Sequence, residues 1–165
     1  LDLCSSWISH YPEGLQAKRV AVTGMNVQEL LANEQATEFR KKDLNVDPTL
    51  PYADGSFDFV TNVVSVDYLN KPREVFREMH RVLRPGGMAI MSFSNRCFYT
   101  KAIWMWIEDM MDGPGHASIV ADYFRFSPEG GWTDIQTLDI SPGYGGPNME
   151  AYTSDPMWVV MAVKA

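Results

Sequence analysis

From Phe57 to Val66 the chain reads FDFVTNVVSV, a nearly unbroken apolar run of strand length. A strand without polar alternation has no face to give to water, so it belongs inside a sheet covered on both sides. Such a sheet needs crossover connections, and the sequence supplies one directly afterwards. Lys71 opens a helix whose Pro72 suits the first turn, where a missing N–H costs nothing. Val75, Phe76, Met79, Val82 and Leu83 make one apolar stripe. Arg73, Glu74, Arg77, Glu78 and Arg81 fill the other side, with Glu74/Arg77 and Glu78/Arg81 three residues apart. Pro85-Gly86-Gly87 is expected to stop this helix, and Met88 to Phe93 to return as the next buried strand.

The rest of the chain repeats the alternation. A strand is expected at Val20 to Met25, then Asn26 as a helix cap, a helix over Val27 to Gln35, and a strand at Phe39 to Leu44. Tyr99 to Met111, rich in Trp and Met, reads as helical, and strands near Thr133 to Ile140 and Met157 to Val163 bracket a Gly/Pro-rich loop. The expected fold is α/β: a single domain over residues 1–165, its sheet mostly parallel with helices on both faces.

A formal charge of −7 argues against a broad nucleic-acid surface and against plain electrostatic docking to anionic lipid. No apolar run reaches the roughly 20 residues of a membrane span, so the chain is expected not to be membrane-spanning. The two cysteines, Cys4 and Cys97, make no disulfide framework, which points to a reducing compartment. The opening Leu1-Asp2-Leu3 reads as the middle of a strand, so an upstream segment is expected, and any targeting peptide would lie within it.

Asp43 to Phe93 contains, in order, an acidic residue at Asp43, LPYADGSFD over Leu50 to Asp58, the apolar strand, and EMHRVLRPGG over Glu78 to Gly87. This string closely resembles the type 11 group of S-adenosylmethionine-dependent methyltransferases, and a weaker resemblance covers nearly the whole chain. The resemblance implies a Rossmann-like class I methyltransferase fold: a seven-stranded sheet with an antiparallel last strand. The first helix and most of the first strand of that fold are missing here. More narrowly, LDLCSSW at the start and SFSNRCF at Ser92 to Phe98 resemble an uncharacterised type 11-like set from cyanobacteria and plastids. That implies a chloroplast or a cyanobacterial cytoplasm as the setting.

The family places S-adenosyl-L-methionine beyond the carboxyl ends of the strands, where the strand order reverses. Its loop after the first strand normally carries Asp-x-Gly-x-Gly-x-Gly, glycines that let backbone pass close to the ligand. Here Asp2 is kept, but Cys4, Ser6 and Ile8 stand at the glycine positions and Trp7 adds bulk. Two readings are open: Ser5 and Ser6 still hold the methionyl end, or Trp7 and Ile8 fill the vacated cavity and close it. Asn26 stands where the family has a ribose carboxylate, a change worth on the order of 1–2 kcal/mol, or about tenfold in affinity. A helix cap is an equal reading for it. Asp43-Leu44 matches the family's adenine-contacting pair. Asn62 matches a position near the methionyl backbone, or it ties down a buried loop. The resemblance thus implies Asp2, Cys4, Ser5, Ser6, Asn26, Asp43, Leu44 and Asn62 as cofactor residues, and no catalytic acid or base is identifiable.

His10, His80 and His116 show no metal-ligand spacing. His80 is expected to be solvated; His10 is a remote candidate base. Cys4 and Cys97 are read as two unrelated thiols near one edge. Phe98 to Met111 carries too many aromatic and Met side chains for one core stripe, so some must face a substrate, a partner protein or a membrane. Pro142 to Pro147 could form a lid. Two functions are open: a methyltransferase with a small or lipid-like acceptor, or an inactive relative of the fold serving as a structural or assembly subunit, with a photosynthetic membrane complex as the setting that the resemblance implies.

Overall fold

In the computed structural model, residues 1–108, 113–127, 131–142 and 155–165 are described. The strands are β1 (Asp2–Leu3), β2 (Ala21–Gly24), β3 (Glu38–Lys41), β4 (Phe57–Val63), β5 (Leu83–Phe93), β6 (Trp132–Asp139) and β7 (Trp158–Lys164). They form one seven-stranded sheet in the order β3-β2-β1-β4-β5-β7-β6. β7 runs antiparallel between β5 and β6, and the other pairings are parallel. The order reverses at β1 and β4, so the candidate site falls at their carboxyl ends. As expected, no helix joins β1 to β2: residues 4–20 run as turns and loop.

The helices are α1 (Val27–Leu31), α2 (Pro72–Val82), α3 (Trp104–Ile107) and α4 (Gly113–Phe126). α2 begins at Pro72 and buries Val75, Phe76, Met79 and Val82, the stripe read from the sequence. Three expectations are corrected. α1 ends at Leu31 and not near Gln35. β5 starts at Leu83, which turns extended (ψ 142°) and pairs with Phe57, so Pro85-Gly86-Gly87 lies inside a strand that was expected to begin at Met88. A register shift between Phe57 and Phe59 takes up the extra residues there. The helix expected over Tyr99 to Met111 shrinks to the single turn Trp104–Ile107, with residues 109–111 outside the described ones. The long helix is instead α4, whose Gly113-Pro114-Gly115 start carries no sequence signature of a helix, although proline is tolerated in a first turn.

One face of the sheet packs against α2 and α4, with Phe76, Phe93, Phe124, Met79 and Met91 fully buried between them. On the other face Leu30 of α1 covers Val20 and Val22. Helices therefore lie on both sides, yet among the described residues β4, β5 and β7 keep a partly open second face. Phe59 there is 55% exposed, and Ile90, Val159 and Met161 are half-buried. α4 docks closely on the carboxy-terminal hairpin: a Cβ placed on Gly113 would lie 1.8 Å from Trp158 Cζ2. Gly113→Ala must displace the indole, and overpacking of this kind costs about 1–3 kcal/mol. A lowered urea midpoint is the expected result; an unchanged midpoint would show that Trp158 does not pack there.

Candidate functional site

β1 ends in a sharp turn. Cys4 takes φ +58°, a left-handed backbone that suits glycine. The Ser5 N–H then donates to the Thr23 carbonyl at 2.7 Å. The Ser5 carbonyl lies so near Gly24 that a Cβ there would meet it at 2.4 Å. Where a helix would otherwise anchor the loop, one buried amide does so. Asn33 Nδ2 lies 3.3 Å from Ser5 Oγ, 3.1 Å from the Ser6 carbonyl and 3.0 Å from Ser9 Oγ. Gln35 extends the clamp, accepting from the Ser9 N–H and donating to the Tyr11 carbonyl.

With Ser5, Ser6 and Ser9 drawn inward, the bulky residues between them turn out. Trp7 is 64% and Ile8 50% exposed, so these two side chains point outward and do not pack into the core. Asp2 lies beneath the loop, buried, accepting from Thr61 Oγ1 at 3.1 Å. Its burial raises the carboxyl pKa above the ordinary value, while hydroxyls of Ser5, Ser9 and Thr61 pull it back.

The remaining expected residues divide in role. Asn26 caps α1: Oδ1 accepts from the Gln28 and Glu29 N–H groups, and Nδ2 donates to Glu29 Oε1 at 2.7 Å. Its amide is therefore committed, and Glu29 brings a carboxylate to the same spot. The cap is the one expected from the sequence, with Glu29 three residues on as its side-chain partner. Asp43 is exposed, one oxygen accepting from the Asn45 N–H at 2.9 Å, while Leu44 is buried. Asn62 is fully buried; Nδ2 donates to the Leu3 carbonyl, securing β1, and Oδ1 has no partner.

Asp67, in the 3-10 turn Val66–Tyr68 after β4, was not singled out by sequence. It is 3% exposed and its Oδ2 has no partner. Burial pushes its carboxyl up to about 6, against donation from Tyr68 and its own backbone. The turn follows Val64, a β-branched residue at φ +44°, a strained conformation of the kind that gathers at functional sites. Asp67 also fixes the segment after β5: its carbonyl accepts from the Ile103 N–H, and the Tyr68 hydroxyl accepts from the Phe98 N–H. Cys4 lies among these groups. Burial lifts its thiol to about 12, Asp2, Asp43 and Asp67 add to the rise, and Asn62 opposes it. Burial raises the Cys97 thiol too, with a contribution from Asp67. Both cysteines are free thiols.

Thr23 Oγ1, Asn62 Oδ1 and Asp67 Oδ2 are thus buried and unpartnered near the carboxyl ends of β2 and β4. Such atoms are costly unless a ligand or water meets them. Around them Met25 (65%), Phe98 (68%), Tyr99 (75%) and Trp104 (70%) are exposed, while Trp106 is buried and stacks on His116. His80, expected in solvent, is half-buried, its Nε2 3.1 Å from the Gly131 carbonyl and its ring edge-on to Trp132. His10 is exposed. Among the described residues no group of three or more His, Cys, Asp or Glu is arranged to hold a metal. No described helix is long and apolar enough to cross a membrane. Of the expected lid, only Pro142 lies within the described residues.

The sequence pattern of a family described as "Methyltransferase domain" matches residues 9–91, half of the chain. A demethylmenaquinone methyltransferase of Renibacterium salmoninarum is 42% identical over 50 residues, a stretch covering 30% of this chain and 21% of that protein. Among solved structures, an S-adenosylmethionine-dependent methyltransferase from Mesorhizobium loti superposes with a TM-score of 0.60 at 15% identity, covering 98% of this chain and 89% of that one. The cyclase SpnF superposes with a TM-score of 0.60 at 15% identity, covering 88% and 66%. At such identities the likeness is one of fold.

Asn33 is the residue on which the loop geometry depends. Asn33→Ala leaves Ser9 Oγ and the Ser6 carbonyl short of a donor, at a cost of about 1–3 kcal/mol. The expected outcome is a lower denaturation midpoint together with faster proteolysis between Ser6 and Lys18. Unchanged proteolysis would show that the loop is held by other contacts.

Proposed function

We propose, from the premise that this chain belongs to the methyltransferase domain family, that it binds S-adenosylmethionine at the carboxyl edge of its sheet and methylates a small, apolar acceptor. The observation that carries this reading is the set of buried, unpartnered acceptors at that edge, beside a loop whose Trp7 and Ile8 turn outward. The residues fit the cofactor in part. The left-handed turn at Cys4 keeps the backbone approach, and Asp43 has one oxygen left after its bond to Asn45. Glu29 supplies the carboxylate that Asn26 lacks. When bound, the cofactor supplies an electrophilic methyl group on a sulfonium.

The chain's own work is then to position, to exclude water and to hold a proton. Asp67 is the candidate for the last task. Its Oδ2 has no donor in a buried site, and an acceptor hydroxyl or amine would supply one. The exposed Phe98, Tyr99 and Trp104 and the half-buried Cys97 edge the same region, which favours an apolar acceptor. The likeness of one stretch to a demethylmenaquinone methyltransferase fits that class.

A second reading rests on Trp104, 70% exposed on a one-turn helix. In it the chain is an inactive member of the fold whose aromatic segment meets a protein partner, beside a photosynthetic membrane if the short plastid-like motifs are a guide. Fold alone does not choose between the two.

Calorimetric titration with S-adenosylmethionine separates them. Saturable binding weakened roughly tenfold in Asp43→Ala is expected, the loss of one charge-assisted hydrogen bond. No binding up to millimolar ligand by a folded protein would favour the second reading.

The pH profile tests Asp67. A base must be ionised to act, so turnover should rise with pH through about 6 and level off above it. Asp67→Asn should remove that limb and slow turnover by roughly 10²–10⁴-fold. A variant with unchanged rate and profile would exclude Asp67 as the base.

A further inference from the structure

At the amino edge of the sheet, away from the candidate cofactor site, a cavity of about 820 Å³ opens between α2, the end of α4 and the end of β7. Five cations line it: Arg73, Arg77, Arg81, Arg125 and Lys164. Asp54 and Glu78 are the carboxylates of the lining, and both are bound to Arg81. Arg125 is paired with Asp122. The other three keep their charge. Arg73 Nε donates to the neutral Phe126 carbonyl at 3.2 Å, and Lys164 Nζ to the Leu83 carbonyl at 2.7 Å. Arg77 is exposed and forms no ion pair with a described residue.

A chain of net charge −7 has thus gathered a net positive charge in one recess, five cations against Asp54, Glu78 and the Asp122 that pairs with Arg125. Mutual repulsion makes such a cluster unfavourable by itself, and an anion relieves it. The scaffold around it is fixed: Arg81 is locked by Glu78, by Asp54 and by the Leu50 and Tyr52 carbonyls. Arg73 and Arg77, one helical turn apart on α2, offer planar donor forks that suit phosphate oxygens. Ser127, also in the lining, has a buried hydroxyl with no hydrogen-bond partner. His80 brings no further cation, since burial lowers its pKa and Lys164 lowers it further, against the Gly131 carbonyl.

We propose that this cavity is an anion site that binds a compact phosphate-bearing group through Arg73, Arg77 and Lys164. The group could come from a free phosphorylated molecule or from a lipid headgroup, and the same residues would meet either. This inference stands apart from the proposed methyl transfer.

The test titrates the full chain with inorganic pyrophosphate and, separately, sediments it with phosphatidylcholine vesicles with and without phosphatidic acid. Saturable pyrophosphate binding that weakens with added salt is expected. Arg77→Gln and Arg73→Gln should each reduce it roughly tenfold, the loss of a charge-assisted bond, while Asp43→Ala leaves it unchanged. Both arginines are exposed, so the variants should keep the parent's circular dichroism spectrum. Co-sedimentation only with phosphatidic acid, lost in the same variants, would identify the headgroup as the source. No saturable binding of either probe, or binding indifferent to both substitutions, would overturn the proposal.

Discussion

The centre of the sheet depends on the strand that carries Asp2 and Leu3. β1 pairs with both β2 and β4, and Leu1 continues the pairing to β4, its carbonyl accepting from the Thr61 N–H. Side chains reinforce this ladder. Thr61 donates to the Asp2 carboxylate, Asn62 to the Leu3 carbonyl, and the Ser5 N–H continues the pairing to Thr23. Leu3 meanwhile anchors β1 in the main core. If these contacts failed, β2 and β3 would part from the rest of the sheet, and the loop that defines the candidate site would lose its origin.

The same economy shapes that loop. A helix between β1 and β2 would fix its own backbone and cover the second face of the sheet. Asn33 and Gln35 replace the first function with directional polar contacts but leave the second unfilled, so Phe59 remains largely exposed. A polar clamp has fewer buried apolar contacts than a packed helix, so local opening should start here before it reaches α2 or α4. A ligand at the carboxyl edge would close this weak point by meeting Asn62 and Asp67 from outside.

Legibility in the sequence follows the range of the interactions involved. α2 and β4 could be read because a helix stripe and an unbroken apolar run are local patterns imposed by a single neighbouring surface. The cap at Asn26 was legible for the same reason, its partner lying three residues away. α4 was not, since its Gly113 is chosen by contact with Trp158 and not by helix propensity. The aromatic density of Tyr99 to Met111 imitated a helix, but Trp104 is exposed and Trp106 buried against His116. The outward turn of Trp7 and Ile8 depends on Asn33, and the burial of Asp67 on segments after β1 and β5. No local pattern records either.

Acidic groups gather around Cys4 at the carboxyl edge, although Arg40, Lys41 and Lys42 lie at the end of β3 on the same edge. Asp2, Asp43 and Asp67 surround Cys4 at the carboxyl edge, each raising its thiol pKa. A helix beginning at the β1 loop would have pointed its positive end at this edge and offset them. With no such helix among the described residues, these three carboxyls lack that offset near Cys4, which suits a cationic ligand such as a sulfonium better than an anionic one. The arginines of α2 and Lys164 line the recess at the amino edge. On the proposed reading, a molecule bearing phosphate would favour the opposite recess over the candidate methyl-transfer site.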